Sequence, residues 1–157
     1  MSAPSSEISA FLYHYAELLD TERFDDWTQL FDPNGCQYRV LSRENHELGL
    51  PLPIMGCFTH GMVRDRVAML AKGVLTYRRD RLLRQVTNVQ CHSQGEAGME
   101  ARANLVVYQS SEEGVSSLYM VARYHTVLHR SQSTWLIRSM DVLVDSFGID
   151  TMLAVPL

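Results

Sequence analysis

Three long runs of alternating apolar and polar residues dominate the second half of the chain. They cover residues 99–109, 118–129 and 135–147, and short polar segments separate them. Period-two alternation over such lengths predicts β-strands, and short connections predict that each strand folds back antiparallel on its neighbour. We therefore predict a β-meander within residues 82–147, against which the rest of the chain must pack.

The middle run predicts what each face of this sheet does. Its even positions are mostly apolar, whereas its odd positions carry Arg123, His125 and His129. Successive side chains of a strand point to opposite faces of the sheet. We therefore expect one face to cover a core and the other to present a polar row to a second subunit.

Helical spacing governs the first part of the chain. A first helix is predicted from Ser5 or Ser6 by an apolar stripe: Ile8, Phe11, Leu12, Tyr15 and Leu19. A short second helix, ended by residues 33–35, is predicted by a further set: Phe24, Trp27, Leu30 and Phe31. Residues 36–41 read as a strand, and residues 42–58 are rich in Gly and Pro. Thr59 is the expected N-cap of a third helix over 60–72, with Gly73 as its stop.

This order of elements predicts an α+β fold in one domain, residues 1–157, with a polar tail at 1–7 and an apolar tail at 148–157. Helices packed on one side of a strongly bent antiparallel sheet give a cone. This is the nuclear-transport-factor-2-like (cystatin-like) architecture, which hosts isomerases, dehydratases and inert assembly subunits alike.

Charge and composition exclude several classes of function. The net charge is -4 with dispersed basic residues, so no basic footprint for nucleic acid exists. The three cysteines contain no CxxC pair, and we expect them to be small buried hydrophobes rather than ligands or disulfide partners. No signal-like or membrane-spanning run is present, which predicts a cytoplasmic location and no membrane partner.

Several motifs run over nearly the whole chain: Trp27-x-x-Leu30-Phe31, Arg43-Glu44-Asn45-His46-x-x-Gly49-Leu50-Pro51, Gly61-Met62-Val63-x-Asp65-Arg66-Val67, Arg84-x-x-Thr87-Asn88-Val89, Arg123-Tyr124 and Asp150-Thr151-x-x-Ala154-x-Pro156-Leu157. Together they resemble the small (beta) subunits of Rieske-type aromatic-ring-hydroxylating oxygenases. The Arg43 motif and the tail are most similar to terephthalate-type and salicylate-type members. Two positions depart from the family pattern, because Thr126 stands where many members have Asp and His129 where many have Arg.

The resemblance implies that catalysis and assembly belong to different subunits. The Rieske [2Fe–2S] cluster and the mononuclear non-haem iron would lie in a large subunit. Three large and three small subunits would form the oxygenase, and the substrate would be an aromatic ring, with a carboxylate expected on it. This chain would be a non-catalytic assembly subunit without a cofactor of its own.

The residues themselves offer no metal centre. A Rieske cluster requires two Cys and two His at close paired spacing, whereas this chain has only the single adjacent pair Cys91-His92. His125 and His129 share a strand face, but four residues of strand span roughly 13 Å, too far for two ligands of one ion.

Two other functions stay open at the level of sequence. A stand-alone cone-fold isomerase or dehydratase would use acid–base chemistry, and its candidate residues are Asp141, His60 and Tyr38. A homo-oligomeric binding module is the third possibility. For the assembly hypothesis, the predicted subunit interface comprises Arg43, His46, Arg123, His125, His129, Pro156 and Leu157.

Overall fold

A computed structural model describes residues 3–72, 80–145 and 153–157. The helices are α1 (Ala3–Asp20), α2 (Phe24–Thr28), α3 (Arg43–Glu47) and α4 (His60–Ala71). The strands are β1 (Gln37–Ser42), β2 (Met55–Cys57), β3 (Arg81–Ser93), β4 (Met99–Ser110), β5 (Ser116–Ser131) and β6 (Thr134–Val144). The predicted stop at Gly73, the end of the third predicted run at 146–147 and tail residues 148–152 lie outside the described residues.

The six strands form one sheet in the order β2-β1-β6-β5-β4-β3. The meander β3 to β6 is antiparallel throughout, as the alternation predicts. One pairing differs from the prediction, because β1 runs parallel to β6. Residues 43–133, which include two α-helices and four strands, separate these two strands in sequence, so the parallel pairing needs no tight hairpin.

Irregularities in strand pairing bend the sheet. The register shifts in three places along β3 to β6: between Thr87 and Gln90, between Val107 and Tyr108, and between Val127 and Leu128. An extra residue in one strand increases the local twist and reverses which residues face the core. Leu118 shows the effect, because it lies beyond one shift and is 57% exposed although the alternation predicts it in the apolar row.

The core lies between the concave face of the sheet and the helices. The predicted even row of β5 is buried from Met120 through Leu128. The predicted stripe of α4 is buried as well: Val63, Val67 and Leu70. The Thr59 hydroxyl accepts a hydrogen bond from the Met62 N–H at 3.1 Å, which confirms the predicted N-cap.

The N-terminal helix begins earlier than predicted. Residues 3–7 belong to α1 and are not a tail. Glu7 shows what the first turns of the helix do, because its carboxylate accepts a hydrogen bond from the Trp135 indole N–H at 3.1 Å. Residues 1–7 are polar and carry no apolar helical pattern, and the partner of Glu7 lies 128 residues away. The sequence therefore did not predict this start.

Two further segments differ from the sequence prediction. The second helix ends at Thr28, and Phe31 forms an isolated bridge beside Ile137 of β6. Inside the breaker-rich segment the short helix α3 forms, because the Ser42 hydroxyl caps it by accepting from the Asn45 N–H at 3.2 Å.

Candidate functional site

Aromatic side chains from four elements meet in the interior of the cone. Tyr15 of α1 packs edge-to-face on Trp27 of α2 and on Tyr124 of β5, with ring centroids 5.8 and 5.5 Å apart. Trp27 also packs on Phe31 and on Tyr38 of β1. All five side chains are fully buried or nearly so. This cluster occupies the place where an open cone would have its pocket.

The C-terminal tail of the chain enters the same interior. Leu157 is fully buried, its N–H donates to the Tyr38 hydroxyl at 2.8 Å, and its carbonyl oxygen accepts from the Tyr15 hydroxyl at 2.9 Å. The Arg84 guanidinium donates to the carbonyl oxygen of Pro156. The end of the tail of the domain itself therefore lies in the cone interior.

Arg84 brings a positive charge into this interior. Its side chain is 0% exposed, and Asp20 at the end of α1 lies 2.6 Å from the guanidinium. The Asp20 carboxylate also accepts from the Arg84 backbone N–H, at 3.1 Å to each oxygen. Sequence reasoning missed this pair, because a buried pairing across 64 residues leaves no local pattern.

Burial also controls the protonation of the interior hydroxyls. It raises the pKa of Tyr15, Tyr38 and Tyr124 above the ordinary tyrosine value. The three phenols are therefore neutral at physiological pH, and those of Tyr15 and Tyr38 donate hydrogen bonds to Leu157. A general base would need a pKa near the operating pH.

The three residues of the acid–base alternative lie apart from one another. Asp141 sits on the outer face of the sheet, where Arg39 holds it through two hydrogen bonds of 2.8 and 2.6 Å. Tyr38 precedes Arg39 in β1 and faces the core. His60 opens α4, and its Nε2 lies 3.2 Å from the carbonyl oxygen of Thr28. No two of the three side chains share a site.

A register shift in β6 changes which residues share a face with Asp141. Strict alternation over residues 135–147 predicts Asp141 on one face with Trp135, Ile137, Leu143 and Phe147, but the shift after Ile137 moves Ile137 to the core side. Asp141 stays on the outer face, opposite His125 of β5 and Arg39 of β1. Its carboxylate is therefore part of a cross-strand row of charges and not a group on an apolar face.

Four of the predicted interface residues do gather on the outer face. Arg43 and Arg123 both approach the Asp145 carboxylate, at 3.6 and 3.1 Å. The His46 ring of α3 packs edge-to-face on His125, with centroids 5.9 Å apart. Partial burial lowers the pKa of His125, and the nearby charges of Arg102 and His46 lower it further.

The other three predicted interface residues are not on this surface. His129 is mostly buried, and its Nε2 lies 3.4 Å from the carboxylate of Asp32, so it takes an ion-pair position within the domain. Pro156 and Leu157 are buried in the core. The apolar end of the chain therefore packs in its own domain.

Beside the His46–His125 pair, the chain presents two features that sequence reasoning did not assign. A groove of about 250 Å³ is lined by polar residues of three strands: Asn88, Gln90, Arg102, Asn104, Arg123 and His125. The segment between α3 and β2 exposes four large apolar side chains: Leu48, Leu50, Leu52 and Ile54. The run of alternate apolar residues between Gly49 and Gly56 was the available signal.

Across residues 3–72, 80–145 and 153–157, no three His, Cys, Asp or Glu side chains come together in a group that could hold a metal ion. Within the same ranges, no helix has the length and apolar character to cross a membrane. Cys36 and Cys57 are buried, and burial raises the pKa of Cys36 to about 11, which keeps it a thiol.

The sequence matches a family model described as the ring hydroxylating beta subunit, over residues 14–151. The small subunit of anthranilate 1,2-dioxygenase from Burkholderia cepacia is 27% identical over 151 residues, covering 96% of this chain and 92% of that subunit. The beta 1 subunit of the terminal oxygenase component of terephthalate 1,2-dioxygenase from Comamonas is 25% identical, covering 96% of this chain and 97% of the relative.

A solved structure shares both fold and sequence. It is described as the beta subunit of an aromatic-ring-hydroxylating dioxygenase from Novosphingobium aromaticivorans. It superposes with a TM-score of 0.87 at 29% identity, covering 98% of this chain and 97% of the other.

Proposed function

The chain belongs to the ring-hydroxylating beta subunit family, and on that premise we propose that it is the non-catalytic assembly subunit of a multicomponent Rieske non-haem iron oxygenase. The observation that carries the non-catalytic role is that the tail and the aromatic cluster lie in the cone interior. Leu157 is hydrogen-bonded there to Tyr15 and Tyr38, and both phenols are neutral. A dehydratase or isomerase of this fold would need an open pocket and a base in it.

The partner in this proposal is a large subunit that holds the Rieske [2Fe–2S] cluster and the mononuclear iron. Three large and three small subunits would assemble in the cytoplasm. The relatives support association with other subunits, because they are named as a small subunit and as a component subunit of dioxygenases.

The surface proposed to meet the large subunit is the outer face around α3 and the loop that follows it. Leu52 is 73% exposed there, and the neighbouring exposed leucines make an apolar patch beside Arg43, His46, Arg123 and His125. Exposed contiguous apolar surface with Arg near its rim is typical of a subunit interface. We call this surface, Arg43–Ile54 with Arg123 and His125, the docking face.

We propose an aromatic carboxylate as the substrate of the assembled oxygenase. The relatives act on anthranilate and on terephthalate according to their names, and both compounds are aromatic acids. The small subunit contributes to this activity by holding the large subunits together, so the choice of substrate lies with the partner.

Co-production with the large subunit tests the assembly role. The small subunit alone should be free of iron and inactive toward aromatic acids. Together with the large subunit it should copurify in an iron-containing, active complex. Turnover of a small molecule by the isolated chain, abolished by Asp141→Asn, His60→Gln or Tyr38→Phe, would instead support the acid–base alternative.

A pair of surface variants tests the docking face. Leu52→Asp should abolish copurification, because a carboxylate in an apolar interface loses its hydration without gaining a partner. Val115→Asp is the matched control, since Val115 is 66% exposed and lies in the turn between β4 and β5, outside the docking face. If both variants copurify like the parent, the docking face is not the interface.

A further inference from the structure

The cone interior holds more hydrogen-bond donors than the side chains around it can satisfy. Tyr15, Tyr38 and Tyr124 contribute hydroxyl groups, and Arg84 contributes a guanidinium. Apart from Asp20, the acceptors recorded for these donors are the carbonyl oxygens of the tail. The interior is thus rich in donors, and most of its acceptors come from the last residues of the chain.

Three donors in this interior remain without a partner among the described residues. They are the Tyr124 hydroxyl, the Nε of Arg84 and the indole Nε1 of Trp27, and all three atoms are buried. An unpaired buried donor is costly, because it gives up its bond to water and gains none in return. Burial raises the pKa of Tyr124, and the charge of Arg84 lowers it in part. A ligand with several acceptor atoms would satisfy such donors.

Leu157 takes the position of such a ligand. Its carbonyl oxygen lies 2.9 Å from the Tyr15 hydroxyl and 3.5 Å from that of Tyr38. Leu157 also belongs to the buried apolar cluster that contains Trp27 and Tyr124. The tail therefore presents an acceptor to the donors and an apolar group to the aromatic rings.

From this arrangement we infer that the cone interior is a binding site for a small aromatic carboxylate. In the structure, Pro156 and Leu157 occupy this site. Carboxylate oxygens accept several hydrogen bonds at once, including those of a guanidinium. The ring would pack edge-to-face in the cluster, as Tyr15, Trp27 and Tyr38 do among themselves. Binding involves no bond making and is separate from the proposed assembly role, because the docking face lies on the other side of the sheet.

A chain ending at Val155 tests this site with benzoate as the probe. Removing two residues deletes both tail carbonyls that accept from Arg84, Tyr15 and Tyr38. Calorimetric titration should show benzoate binding at least tenfold tighter than to the full chain, in which the tail competes. Benzamide, a neutral compound of nearly the same shape, should bind the shortened chain at least tenfold more weakly than benzoate.

Tyr124→Phe supplies the matched variant. In the shortened chain it should weaken benzoate binding about fivefold, since it removes one of the donors the carboxylate would use. In the full chain it should leave the unfolding midpoint unchanged or higher, because the hydroxyl has no acceptor there. Copurification with the large subunit, measured in parallel, reports on the assembly role independently.

Each result of the experiment decides the inference. If the shortened chain is folded and does not bind benzoate at about 10 mM, the interior is not such a site. Equal affinities for benzoate and benzamide would also overturn it. If the shortened chain is unfolded, recovery of its near-ultraviolet circular dichroism on adding benzoate supports the site, because a ligand of the native state stabilises it. Absence of recovery overturns it.

Discussion

Arg84 shows how much a single residue can depend on one partner. Its guanidinium is fully buried, and Asp20 supplies the negative charge at 2.6 Å. A buried ion pair adds modest stability by itself, but a buried charge without its partner is strongly unfavourable. The end of α1, the start of β3 and the tail are thus joined through one side chain.

Asp20→Asn should therefore lower the free energy of unfolding by about 3–5 kcal/mol. The amide keeps the size of the side chain but leaves the Arg84 charge uncompensated. Urea unfolding followed by circular dichroism measures the change. Asp26→Asn is the control, because its pair with Arg23 is more than half exposed and should change stability by less than about 1 kcal/mol. Equal effects of the two variants would contradict the buried-pair argument.

His125 makes the outer face sensitive to pH. Its lowered pKa means that the folded protein binds fewer protons at this site than the unfolded chain does. The contribution of His125 to the free energy of unfolding is therefore fully present above the pKa of a histidine in the unfolded chain, about 6.5. It is lost as the pH falls toward the lower pKa that His125 has in the folded protein.

The unfolding free energy should accordingly fall as the pH is lowered from about 7 to 5. His125→Phe should reduce the slope of that fall, because it removes the titrating ring while keeping an aromatic contact for His46. Urea midpoints across this pH range measure both slopes. Identical slopes in parent and variant would show that His125 does not contribute.

At the scale of elements, local signals decide where α4 begins. Thr59 has an extended backbone and its hydroxyl caps the Met62 N–H, so the helix start follows from residues within three positions of one another. In the first turns of α1, the Glu7 carboxylate accepts from Trp135, which lies 128 residues away, and such a contact has no local signal. The sequence therefore predicted the start of α4 from its cap, whereas it placed the start of α1 at Ser5 or Ser6, later than Ala3.

Thr59→Ala should destabilise the protein by about 1 kcal/mol, since it removes the acceptor of the first helical turn. Thr59→Ser is the conservative control and should retain most of the stability, because it keeps the hydroxyl. Thermal or urea unfolding distinguishes the two. A serine variant as unstable as the alanine variant would mean that the threonine methyl group, and not the cap, matters.

The molecule as a whole should be sensitive to alkaline pH. Three buried tyrosines have raised pKa values in the folded state, whereas the unfolded chain ionises its tyrosines near pH 10. Their contribution to stability is therefore complete below about pH 10 and decreases as the pH rises above it.

Unfolding midpoints in urea should fall steeply above about pH 10, and tyrosinate absorbance should rise together with unfolding. Tyr124→Phe should make the fall shallower, because it removes one hydroxyl group whose pKa is raised in the folded state. A midpoint that is constant between pH 9 and 11, or tyrosinate absorbance that rises fully before unfolding, would contradict this prediction.

The sequence by itself determined the α+β class, the meander, the stripe of α4 and its cap, and it carried the family resemblance. These features depend on periodicity and on residues that are neighbours in the chain, so their physical causes can be read locally. The filled interior, the Arg84–Asp20 pair and the position of Asp141 were decided only by the tertiary structure. Each depends on contacts between distant residues or on a register shift, and one extra residue in a strand exchanges its two faces.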